Sequence, residues 1–153
     1  MKYIFCCLML IFGAAPAVAQ TNQAKSINSQ EVFGNYTVHF SVFNSTFLTP
    51  DAANAAGLTR ARDQVLINIS VTDNRNAGGV GQAAEVSGTA TNLIQQQRVL
   101  SFKTITEGDA VYYIAPLRHT NEEVMNFAID VRPAGGAEAF TLRFSRTLYV
   151  EGR

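Results

Sequence analysis

The sequence predicts an all-β domain, an antiparallel immunoglobulin-like β-sandwich of about seven strands with one short helix in a crossover. Three observations predict it. Apolar and polar side chains alternate with a period of two in one segment after another, turn-forming residues separate those segments, and a single short stretch carries helix signals.

The chain opens with one positive charge at Lys2, an apolar run over residues 4–12 and small residues ending in Ala17-Val18-Ala19. This is the plan of a secretory signal peptide, and the small side chains of Ala17 and Ala19 place cleavage after Ala19. The apolar run is shorter than the roughly 20 residues that cross a bilayer, so no stable membrane span is expected once residues 1–19 are removed. The 134 residues that follow suit one domain. Both cysteines, Cys6 and Cys7, lie in the leader and precede the position of a lipoprotein cysteine, so the exported part has no thiol and must be held by packing. Without Lys2 it carries 11 basic and 12 acidic residues, with no basic cluster to meet phosphates, which excludes a nucleic-acid partner.

Residues 20–31 form a polar lead-in expected to be flexible, and the folded domain is expected over residues 32–153. Residues 36–43 alternate, with Tyr36, Val38, Phe40 and Val42 facing inward. Thr49 then suits a helix cap, Pro50 the first helical position and Gly57 a left-handed end, which predicts about two turns of helix. Residues 65–71 alternate again through Val65, Ile67, Ile69 and Val71. Residues 73–82 read as a mobile loop and residues 84–91 as a strand in which Gly88 marks a bulge or a close approach. Further strands fit residues 99–105 and 110–115, the latter ended by Pro116. The last two fit residues 124–131 and 140–150, separated by Pro133-Ala134-Gly135-Gly136.

Several of these segments together resemble a family of small exported proteins from Gram-negative bacteria catalogued as domain of unknown function 4426. The resemblance is carried by Phe40-Ser41-Val42-Phe43-Asn44-Ser45-Thr46-Phe47-Leu48-Thr49-Pro50, Gly57-Leu58-Thr59-Arg60 and Ile67-Asn68-Ile69-Ser70-Val71. It continues through Asn92-Leu93-Ile94 and Ala110-Val111-Tyr112-Tyr113-Ile114-Ala115. It implies an exported β-domain and is silent about chemistry. The chain departs from the family pattern at Ala56, where an aromatic residue is common, and at Gln95, where a glycine is common.

No motif identifies a reaction. A metal site needs three or four close ligands, and the exported part offers His39 and His119 without a thiol, so no metal and no cofactor are expected. His39 shares a strand face with Thr37 and Ser41 and reads as a surface or cross-strand residue, and His119 reads as a loop residue beside Arg118. Gly79-Val80-Gly81-Gln82-Ala83-Ala84 matches a dinucleotide fingerprint only on paper, because strand residues follow where a helix is required. Asp73-Asn74-Arg75-Asn76 puts a cation where a calcium loop needs oxygen. Glu122-Glu123 are sequence neighbours, which cannot flank one bond, and read as a solvated loop edge.

The most informative segment runs from Asn44 through Phe47 to Arg60 and Arg62. Asn44 is expected to satisfy backbone groups at the strand end, Phe47 and Leu48 to tuck under the helix, and Arg60 or Arg62 to hold a carboxylate. One of Tyr112 and Tyr113 must face outward, and Tyr113 is taken as the ring that could anchor a partner. The functional expectation is a periplasmic, non-catalytic module that binds an envelope protein, with Asn44, Phe47, Arg60, Arg62 and Tyr113 as candidate contacts. Two alternatives are a hydrolase that pairs a histidine with a carboxylate, and a carrier of small apolar ligands inside an unfilled interior.

Overall fold

The computed structural model describes residues 29–76, 80–135 and 138–152; the leader at residues 1–19 and residues 20–28 of the lead-in lie outside them. Along the described residues run β1 (Gln30–Phe33), β2 (Tyr36–Asn44), a 3-10 turn (Ser45–Phe47), α1 (Pro50–Ala55), β3 (Gln64–Asp73) and β4 (Ala84–Asn92). Then come β5 (Gln97–Leu100), β6 (Lys103–Glu107), β7 (Ala110–Arg118), β8 (Glu123–Pro133) and β9 (Phe140–Leu148). They form two sheets, ordered β1-β2-β3-β7-β6 and β5-β4-β8-β9, with every neighbouring pair antiparallel. Setting β1 aside, β2-β3-β7-β6 opposite β5-β4-β8-β9 is the A-B-E-D over C′-C-F-G order of an immunoglobulin-type sandwich.

The alternating residues make the core. Val65, Ile67, Ile69 and Val71 of β3 belong to one buried cluster with Met125, Phe127, Ile129 and Val131 of β8. Each such side chain contributes about 1.5–3 kcal/mol on burial, which is how a domain without cysteines is held. Aromatic stacks join the sheets through Phe144 of β9, its ring centroid 4.6 Å from that of Phe40 of β2, and through Phe33 of β1, 4.2 Å from Phe140; within its own sheet Phe144 also stacks on Phe127 of β8 at 4.8 Å. These bulky groups lie between the two sheets.

Four local features differ from the sequence reading or sharpen it. The sheet begins at Gln30, two residues before Val32, and Gln30 pairs with His39. Three of the four β1 residues are exposed, so no burial pattern marks the strand. Residues 99–105, read as one strand, are two: β5 ends one sheet at Leu100 and β6 begins the other at Lys103. Pro116 does not end β7, which continues to Arg118. Beyond Ile114 only β3 flanks β7, so an amide on the other side has no strand to bond and proline is tolerated. Gly88 marks a close approach and not a bulge, since its register with β8 is unbroken and a Cβ there would stand 2.7 Å from the Ala128 carbonyl oxygen.

The helical segment lies in the connection from β2 to β3, which are direct neighbours in the same sheet from Tyr36↔Asp73 to Asn44↔Val65. It therefore covers the outer face of that sheet instead of passing between layers. Leu66, which alternates out of the inter-sheet core, is fully buried. No helix among the described residues is long and apolar enough to cross a membrane.

Candidate interaction site at the β2–β3 connection

β2 ends at Asn44, whose φ of −65° and ψ of 137° are extended, and the chain turns at once into the 3-10 segment. Ser45 fixes that turn. It is fully buried, its Oγ donates to the Ala61 carbonyl at 3.0 Å, and the Ala61 amide donates back to Oγ at 2.9 Å. This reciprocal pair joins residues 16 apart and closes the connection on itself.

Between them α1 is capped as its sequence requires. The Ala52 amide donates to Thr49 Oγ1 at 3.2 Å and Pro50 opens the helix. At the other end Gly57 has a φ of +62°, its amide donates to the Asn54 carbonyl, and the Leu58 amide donates to the Ala53 carbonyl. These two bonds are a Schellman motif, and both residues of the longer bond, Ala53 and Leu58, are buried. Glycine is needed at 57 because its left-handed backbone strains any side chain.

The outer surface of this connection carries the site. Phe47 is 77% exposed and does not tuck under the helix, because the 3-10 turn points it outward and leaves Leu48 to face inward, half-buried. Arg60 Nη2 donates to the Thr46 carbonyl at 3.2 Å, and neither Arg60 nor Arg62 joins an ion pair among the described residues. No carboxylate is held by either of them there; the nearby Glu151 accepts from the Thr46 hydroxyl instead. Its backbone amide donates to the Arg62 carbonyl at 3.0 Å. Asn44 makes no side-chain cap to the 3-10 turn and stays half-buried beside a depression of about 170 Å³ that Arg146 and Tyr149 also line.

Thus Asn44, Phe47, Arg60 and Arg62 come together, and the segment after β9 adds Tyr149, which is 58% exposed. Sequence reasoning missed Tyr149 because residues 140–150 read as one strand, whereas β9 ends at Leu148. Tyr113 belongs elsewhere. It is 5% exposed, lies in the core cluster and accepts the Ala84 amide on its hydroxyl at 2.7 Å, so the outward ring is Tyr112. Parity was ambiguous in sequence because both faces of β7 are apolar.

The histidines are apart from this site and from each other. His39 Nε2 lies 3.3 Å from Thr72 Oγ1 across the strand pair, as its face predicts. His119 is not a surface loop residue: it is 6% exposed, its Nδ1 donates to the Thr120 carbonyl at 2.9 Å, and its Nε2 has no partner among the described residues. Neither reaches a carboxylate there. No three His, Cys, Asp or Glu side chains among the described residues could hold a metal ion.

Other charged groups serve the frame. Asp73 accepts the Arg75 amide and its guanidinium, and that hydrogen bonding holds its carboxyl below the usual range. The described start of the 73–82 loop is therefore tied down, while residues 77–79, which include Gly79 of the glycine pattern, lie outside the described residues. Gly81 is needed where it stands, since a Cβ would meet the Asp109 carbonyl oxygen at 2.8 Å. Asp63 is likewise lowered, first by its hydrogen bonds from Arg118. Glu123 is not solvated as read: it is half-buried and accepts from the Thr120 amide at 2.8 Å and from Asn92 Nδ2 at 3.2 Å. Burial alone would raise its pKa, but these bonds and the charge of Arg98 bring it below the ordinary value.

Comparison with known proteins adds the following. The model of the family described as domain of unknown function DUF4426 matches residues 30–151. A solved DUF4426 family protein from Pseudomonas aeruginosa PAO1 is 32% identical with a TM-score of 0.71, over 80% of this chain and 94% of that one. FetP of uropathogenic Escherichia coli strain F11, expressed recombinantly in the periplasm, is similar at 12% identity and a TM-score of 0.57, over 78% of this chain and 92% of FetP. A copper-bound FetP variant gives 11% identity and a TM-score of 0.55, over 81% and 91%. At these identities FetP shares the fold alone. No curated protein matches the sequence significantly.

Proposed function

The chain belongs to the DUF4426 family, and we propose that it acts in the periplasm as a non-catalytic module that binds an envelope protein through the β2–β3 connection. The observation that carries this reading is Phe47, a large apolar ring 77% exposed on a segment that Ser45 holds rigid. An aromatic side chain has few rotatable bonds to immobilise on binding and supplies a large contact area. Arg60 bonds the carbonyl of the preceding Thr46, Arg62 and Tyr149 belong to the same connection and its C-terminal neighbour, and aromatic and arginine side chains are the types enriched at the energetic centres of interfaces.

The leader at residues 1–19 supports export, and the recombinant expression of FetP in the periplasm is consistent with that compartment. A non-catalytic role is supported by two histidines that stand apart without a carboxylate partner among the described residues. Copper is a property of the FetP variant and is not carried over, since the described residues assemble no ligand set.

The test is quantitative capture of a partner from envelope extract by the immobilised chain. Phe47→Ala and Arg60→Glu are each expected to lower recovery of one reproducible protein at least tenfold while the melting temperature stays within about 2 °C, as is usual for surface substitutions. Recovery equal to that of the unsubstituted chain would remove the connection from consideration.

A further inference from the structure

One end of the outer face of the five-stranded sheet, beside α1, is apolar, whereas Thr37, His39, Ser41, Ser70 and Thr72 make the other end polar. Phe43, Tyr112 and Ile114 lie there beside Leu66, and α1, only six residues long, together with its C-cap Ala56 sets the small side chains of Ala52, Ala55 and Ala56 along them. Methyl groups over large apolar neighbours leave a groove of about 590 Å³. That volume is within the roughly 300–1,000 Å³ typical of small-molecule sites.

Its polar groups are few and placed. Asn68 lines the groove, and its Oδ1 is buried without a hydrogen-bond partner among the described residues. Buried acceptors are rarely left unpaired, so this one asks for a donor from outside the fold. Asn68, Ile114 and Lys103 are register neighbours on β3, β7 and β6, which puts Lys103 about 10 Å from Asn68, two strand spacings away on the same face. Lys103 is exposed and reaches across the groove to donate to the Gly57 carbonyl. Glu107 stands at the other end of β6, about 13 Å along the strand.

We propose that this groove binds a small apolar carboxylic acid with an N–H donor next to the carboxylate, the chemistry of an apolar amino acid. The apolar body rests on Phe43, Tyr112 and Ile114, the N–H donates to Asn68 Oδ1, and the carboxylate accepts from Lys103 Nζ in place of the Gly57 carbonyl. Glu107 disfavours the reversed orientation by facing the acid end with like charge. The site is separate from the surface around Phe47 and stands whether or not that surface binds a protein.

The experiment is an NMR titration of the isotope-labelled chain with leucine and N-acetyl-leucine, and with leucinol and 4-methylpentanoate, which lack the carboxylate and the N–H respectively. Saturable shifts are expected at the Asn68 side-chain amide and at Ile114 for one or both of the first two. Tighter binding of free leucine assigns the site to an amino acid, and tighter binding of the acetyl form to the C-terminal residue of a peptide; either supports the proposal. Affinity is expected to fall at least tenfold for leucinol and 4-methylpentanoate, and likewise in Lys103→Ala, an exposed position whose replacement leaves the sheet spectrum in place. Ala56→Phe, which fills the groove, is expected to abolish binding. Absence of saturable shifts with both leucine compounds overturns the proposal, as does binding unchanged in Lys103→Ala or Ala56→Phe.

Discussion

Gln95 stands at a φ of 64° in the turn between β4 and β5, and Glu122 at 58° before β8, two left-handed backbones carried by residues with full side chains. That conformation costs roughly 1–2 kcal/mol for an L-residue, part of which glycine recovers against its greater freedom when unfolded. Gln95→Gly is therefore expected to raise stability by about 0.5–1 kcal/mol in urea unfolding. The carboxylates make a second residue-scale prediction. Asp63, Asp73 and Glu123 all have folded pKa values below their ordinary 3.8, 3.8 and 4.5. Their contribution is present above the ordinary range and is lost as pH falls through the lowered folded values, because the unfolded chain takes up protons first. Melting temperature is expected to drop from about pH 5 downward. Glu123→Gln should flatten that drop while lowering stability at neutral pH. At this scale the sequence was legible where a residue's job is local. His39 lay on the face its alternation gave, whereas the exposure of Phe47 and the burial of His119, Tyr113 and Glu123 depend on what the fold lays over them.

The elements were legible in proportion to how one-sided their burial is. β2, β3 and β8 alternate because one face meets the core, and α1 was readable from Thr49, Pro50 and Gly57 because caps are local chemistry. β1 is nearly all exposed, and β5 and β6 are short edge strands, so none carries a full pattern. The step through Ser101 and Phe102 moves the chain from one sheet to the other with no glycine, proline, asparagine or aspartate to announce it. Gly88 shows what an element can demand of one position. Its missing side chain lets β4 approach β8, with the Ala128 carbonyl oxygen 2.7 Å and the Ile129 Cα 3.0 Å from where a Cβ would be. Gly88→Ala must push backbone against backbone and is expected to cost about 1–3 kcal/mol, read from chemical denaturation. A change below about 0.5 kcal/mol would mean that the two strands separate freely there.

For the whole molecule, the two-layer arrangement follows from the alternation, whereas the strand order rests on pairings between segments far apart in the chain, such as β3 with β7 and β4 with β8, which no local pattern encodes. On the outside of the sandwich the β2–β3 connection and the segment after β9 bring Asn44, Phe47, Arg60, Arg62 and Tyr149 together. Four of those five share one connection, so their proximity was legible from the sequence; Tyr149 comes from the far end of the chain and only folding delivers it. The direct measurement is photo-crosslinking in intact cells with p-benzoylphenylalanine at position 47, compared with the same group at Glu85, exposed on the opposite sheet. A discrete adduct at position 47, absent at position 85 and lost in the Arg60→Glu background, is the result predicted. Equal or absent adducts at the two positions would contradict a docking role for the connection.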